Sequence, residues 1–187
     1  MRLKNWTACA EAEAFIRQEL KAWQTTGLTV WLKYTRDRSA GLYGYFRDRE
    51  MRILAAVNTN AALPALVRFS VRTRMLPIGD FRFGHDEEPT GSLDELMVWV
   101  FFHELHHFLC HTRQRSGDWE TRANAYAFEM LRKFKAGRTG AAAQPSPPPG
   151  TVVRFRERVA GDGWPASDSP GLAAESPAPL SVGSERT

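Results

Sequence analysis

Cysteine is almost missing from this chain. Two thiols in 187 residues, Cys9 and Cys110, cannot build a disulfide framework, so a stapled secreted scaffold is excluded and both are read as small packed side chains. A long apolar run is missing too. No stretch approaches the roughly 20 apolar residues of a membrane span, and the opening "MRLKNWTACAEAEAF" has no secretory h-region, so the expectation is a soluble cytoplasmic protein. Proline is scarce where a core would form, since eight of the eleven lie beyond residue 140. Internal repeats are also lacking, which excludes a solenoid.

What is present suffices for one domain. Hydrophobic content of 43% and charged content of 25% are ordinary globular values. A domain is expected from about residue 1 to 135. Residues 136 to 187, rich in Pro, Gly, Ala and Ser, read as a disordered tail whose island "TVVRFRERV" could form a strand or a short docking segment. The formal charge is +4, and from Lys33 to Arg82 ten basic residues face four acidic ones. Such an excess attracts nucleic acid or an acidic protein partner, although a solvated surface explains it slightly better without an accompanying recognition motif.

Local patterns order the domain. Residues 7 to 26 predict an amphipathic helix capped by Thr7, with Ala12, Phe15, Ile16, Leu20 and Trp23 at helical spacing and Gly27 as the stop. The period then changes to two in "LTVWLKYT", "GLYGYF" and "MRILAAV", with "RDRE" as a charged hairpin turn, which predicts an antiparallel sheet of three or more strands. Residues 58 to 91 are broken by Pro64, Pro77, Gly79, Gly84 and Pro89, and only "RFSVRTRML" reads as a further strand. "SLDE" has capping-box spacing at Ser92 and Glu95, so a helix should start there and run to about residue 111 or 113. After "RSGDWE", with Asp118 as the cap, a second helix is expected from Trp119 to about Phe134.

The chemistry lies in "FFHELHHFLCHTRQRSGDWETRANAYAF", which holds four of the five histidines. His103, Glu104 and His107 form H-E-x-x-H on the first of these helices. At i and i+4 the two imidazoles share a face and can meet one zinc ion, while Glu104, about 100° round the helix, can take a proton beside the ion without binding it. A third ligand is required. His111 lies about 12 Å along the axis from His103, too far to converge, and the extended zincin pattern fails because its positions hold Cys110 and Arg113. Glu120, at the start of the next helix, completes a His₂Glu set that leaves one position open. Asn124, one turn on, could accept the outer N–H of a ligand histidine. His106 and His111 read as structural or surface groups and His85 as an exposed loop residue, while Tyr126 and Tyr43 are alternative donors to a developing oxyanion.

"HELHHFLCH" followed by "ETRANAYAFEML" resembles the active-site helix and the E-x-x-A-N-x-x-A segment of the ImmA/IrrE family of zinc metallopeptidases, which are gluzincins. The match is specific over residues 101 to 131. The resemblance implies an α+β zincin-like fold, zinc held by His103, His107 and Glu120, catalysis by Glu104, and cleavage of a protein substrate such as a DNA-binding repressor. The SprT-like proteases, which act near DNA, are similar in compactness, but they commonly take the third ligand from a histidine and none follows His111. A zinc-stabilised binding module without hydrolysis is the competing class.

Overall fold

A computed structural model describes residues 1–36, 42–75, 81–117, 119–138 and 152–153. The chain divides into two units, Met1–Glu157 and Arg158–Thr187, and the described residues all belong to the first. They form an α+β fold: β1 (Arg2–Asn5), α1 (Ala10–Glu19, extended by a 3-10 turn over Leu20–Ala22), β2 (Thr29–Thr35), β3 (Leu42–Arg47), β4 (Arg52–Asn58), β5 (Ala65–Met75), β6 (Phe81–Thr90), α2 (Leu93–His111), α3 (Glu120–Arg138) and β7 (Val152–Val153).

The first sheet has the order β1-β2-β4-β3. It is mixed, which corrects the expected antiparallel sheet. The β3–β4 hairpin turns at residues 48–51, as "RDRE" suggested, but β2 runs parallel to both β1 and β4. A period of two shows which residues share a face, and it carries no information on strand direction. The apolar run "ILAAV" in β4 does signal its place, because a strand buried on both faces reads as continuous rather than alternating. All residues from Ile53 to Asn58 are buried.

The second sheet, β6-β5-β7, is built on a long hairpin with a register shift between Arg72 and Arg74. The strand read from "RFSVRTRML" is β5, and β6 is an element that the acid-rich, Pro- and Gly-containing segment did not announce. Pro89 is tolerated there because, among the described residues, β6 pairs on one side only. Val152–Val153, from the tail, pairs in parallel with Leu66–Val67. Residues 136–138 continue α3 past its expected end near Phe134, and the rest of the expected tail lies outside the described residues.

Helix α1 is shorter than predicted, and its cap differs. Its N-cap position is Cys9 and carries no side-chain bond. Thr7 Oγ1 instead accepts from the Cys9 amide at 3.1 Å, and the first-turn amide of Ala12 donates to Asp94 Oδ1 at 2.8 Å. Ala12, Ile16 and Leu20 form the buried stripe. At α2 the capping box forms: Ser92 Oγ accepts from the Glu95 amide, while the Glu95 carboxylate reaches Gly91 N.

Helix α2 is the centre of the core. Met97, Val98, Trp99, Val100, Phe101 and Phe102 are consecutive and fully buried, so this helix is apolar all round, as expected of one enclosed by other elements. It packs against α1, α3, β3 and β4, while α3 also contacts β5 and β6. Arg132 pairs with Asp86 and Glu88, and Lys135 with Glu88, which fixes α3 to β6. Among the described residues no helix is long and apolar enough to cross a membrane.

Candidate metal centre

The enclosure of α2 fixes two imidazoles at one end of the core. His103 is 1% exposed, and its ring stacks on Trp99 with centroids 5.4 Å apart. Trp99 in turn stacks on Phe69 of β5 at 4.4 Å and meets Phe128 of α3 edge-on. One helical turn on, His107 is partly open to solvent, and its Nε2 lies 3.4 Å from Nε2 of His103.

The loop between α2 and α3 brings back the acid. Thr112 closes α2 through its hydroxyl bond to Phe108 O, Arg113 adopts φ +58, and the amides of Gln114 and Arg115 both donate to Leu109 O. Gly117 follows at φ +82, where any side chain would be strained and would also collide with the Arg122 guanidinium. His106 Nε2 lies 3.1 Å from Gly117 O and so ties the loop back to α2. The turn delivers Glu120 as the first residue of α3. Its Oε2 is 3.1 Å from His103 Nε2 and its Oε1 is 3.4 Å from His107 Nε2.

These separations test whether the three groups could hold an ion. Tetrahedral bonds of about 2.0–2.1 Å require neighbouring donor atoms about 3.3 Å apart. The two imidazole nitrogens, 3.4 Å apart, and the 3.1 Å from His103 Nε2 to Glu120 Oε2 match that spacing, the 3.4 Å from His107 Nε2 is to the other carboxylate oxygen, and one donor atom from each of the three residues lies within 4.8 Å of the others. His103, His107 and Glu120 can therefore hold a metal ion, and they are the one group of three or more such donors found among the described residues. The electrostatics agree: His103, hydrogen-bonded to Glu120, holds that carboxyl below the usual range, while partial burial acts in the opposite direction. The side chain of Glu120 is half exposed, so the centre opens to solvent on the α3 side.

Glu104 lies beside the three donors in the chain and outside their group. It is 4% exposed and packed between α2 and the edge strand β3. At Gly44 a Cβ would lie 2.7 Å from Glu104 Oε1 and 2.9 Å from both its Cγ and Val100 Cγ2, so only glycine lets β3 come this close.

The other sequence candidates separate from this cluster. Asn124 is buried, but its Nδ2 donates to Ser70 O at 2.9 Å and its Oδ1 has no hydrogen-bond partner among the described residues. The expected bond to a ligand histidine is therefore not made, and Asn124 fixes α3 to β5. His111 is exposed and meets Phe46 edge-on, and His85 is exposed on β6. Tyr126 packs beneath Arg115 and against Phe102 and His106, and burial pushes its phenol up to about 12. That environment belongs to the α2–α3 interface rather than to the three donors. The side chain of Tyr43 and the cap Asp118 lie outside the described residues.

Sequence reading missed the stack of Phe69 and Trp99 behind His103, the loop tether of His106 and the close approach at Gly44. Only the last left a signal, a glycine within an otherwise apolar strand. Comparison with protein-family models, curated proteins and solved structures finds no match to this chain.

Proposed function

We propose that the protein is a zinc-dependent metallopeptidase of gluzincin type, similar to the ImmA/IrrE peptidases, acting on a protein substrate. The observation that carries this reading is the convergence of two imidazole nitrogens and the Glu120 carboxylate at metal-ligand spacing, with Glu104 adjacent and outside the donor set. A His₂Glu set leaves a fourth position for water or substrate, whereas structural zinc sites are closed by four protein ligands, most of them cysteine. The openness on the Glu120 side agrees with turnover.

Bound there, zinc would supply Lewis acidity toward water and toward a peptide carbonyl. The remaining work belongs to the chain. Glu104, held at the edge of the sheet, takes the proton from the attacking water and passes it to the leaving amine. Strand β3 pairs on one side with β4. Its other edge offers main-chain groups to an extended peptide, which keeps the scissile bond straight across the centre. Trp99 and Phe69 hold the His103 ring at a fixed angle.

The test is Glu104→Gln, which keeps size and hydrogen bonding but cannot accept the proton. It should bind zinc as wild type does and lose cleavage of a quenched-fluorescence peptide library. Wild-type rates in that variant would reject the peptidase reading.

A further inference from the structure

The face of the first sheet turned away from α2 has a composition that the metal centre does not use. Val30, Leu32, Ile53, Ala55 and Val57 point into the core, so the alternate residues of each strand lie on the opposite face. Register then places Lys4, Trp31, Leu54 and Tyr45 in one row across all four strands, and Arg2, Thr29, Arg52 and Arg47 in the next. The first row thus carries the rings of Trp31 and Tyr45 on either side of the buried Leu54, and the next, about 6.6 Å away at two residues per step, carries Arg2, Arg52 and Arg47.

The rings and cations interleave. Trp6 is 50% exposed and meets Trp31 edge-on at 5.6 Å. Lys33 Nζ lies 4.9 Å from both rings, Arg52 stacks on Trp31 at 4.0 Å, and Arg47 lies 4.9 Å from the Tyr45 ring. Glu50, at the margin, pairs with Arg47 and Arg52, and it is one acid against the five cations Arg2, Lys4, Lys33, Arg47 and Arg52.

We propose that this face binds single-stranded nucleic acid, with the cations along the phosphates and Trp6 and its neighbours as stacking partners for bases. Charge complementarity selects a polyanion. The rings narrow the choice, because an acidic peptide would need the cations alone, and the major groove of a duplex admits a helix or a two-stranded ribbon rather than the face of a four-stranded sheet. Binding here is independent of the peptidase reading, since none of these residues touches the three metal-ligating groups.

The experiment measures fluorescence anisotropy of the full chain with labelled 20-nucleotide single strands, one of DNA and one of RNA, and with the corresponding DNA duplex over a range of salt, beside sedimentation of the chain with phosphatidylserine vesicles. Both the single-strand preference and a log–log salt slope of about −0.7 per phosphate contact are expected, and the tighter arm identifies the sugar. Trp6→Ala should weaken binding about fivefold or more through lost stacking, and Lys33→Gln should make the slope shallower by about 0.7. Circular dichroism spectra and melting temperatures equal to wild type in both variants show that they are folded, and Glu104→Gln should bind the oligonucleotide as wild type does. Any of four results overturns the proposal: no binding at about 50 mM salt, equal binding by both sheet variants, tighter binding of duplex than single strand, or capture of phosphatidylserine vesicles with none of the oligonucleotides.

Discussion

Replacing Gly44 by alanine puts a methyl carbon 2.7 Å from Glu104 Oε1 and 2.9 Å from Val100 Cγ2. Neither neighbour has free space to yield into, because Val100 is fully buried and Glu104 is 4% exposed. The methyl therefore forces β3 outward or turns the Glu104 side chain. Overpacking of this kind costs about 1–3 kcal/mol, which for a domain of this size lowers the melting temperature by roughly 2–12 °C. The catalytic cost is separate and larger, since a displacement of about 1 Å in a reacting group reduces rates about 100-fold. Zinc content should stay at the wild-type value because no ligand touches Gly44. Thermal melts, metal analysis and peptide cleavage on the same preparation decide the matter. A variant with unchanged melting temperature and unchanged cleavage would show that β3 does not press on Glu104, and would remove the edge strand from the proposed site.

Two further outcomes follow from the same geometry. Glu120→Ala removes a ligand and should weaken zinc binding by more than the 10–100-fold typical of losing a group one step out from the metal, read by competition with a chromophoric chelator. Unaltered affinity would assign the third ligand elsewhere. The Tyr126 phenol, near 10 in an unfolded chain and pushed up to about 12 by burial, stays neutral in the folded state while the unfolded state ionises. Stability from this group is complete below pH 10 and falls as pH rises toward 12, by about 2–3 kcal/mol. Urea melts at pH 9 and 11 should show that fall in wild type and a smaller one in Tyr126→Phe.

Much of the site was legible because its chemistry is local. His103, Glu104 and His107 lie within five residues of a helix whose start Ser92 and Glu95 announce, and Glu120 follows one short loop later, so the spacing along the chain nearly determines the spacing in space. The sheet was less legible. Strand direction between β2 and β4 depends on a pairing across more than twenty residues, and β6 hides its period among Asp86, Glu87, Glu88 and Pro89, where Asp86 and Glu88 pair with Arg132 and Lys135 of α3 and Glu87 with Arg68 of β5. Thr7 illustrates the same limit in miniature. The hydroxyl has the right identity and place for a cap, but the acceptor for the free amide of Ala12 arrives from Asp94, 82 residues away. Asn124 failed in a similar manner, because β5 offered a backbone carbonyl that the pattern along α3 could not reveal.

Helix α2, which carries His103 and His107, is also the most enclosed of the described elements. Substitutions along its middle turns that alter packing will shift the two imidazoles as well, so on the proposed reading selection for a new substrate has little freedom there. Adaptation of such a peptidase has to enter from the periphery, through the margin of β3 and the first turn of α3, where a changed side chain can reshape what approaches the three donors without disturbing what holds the domain together.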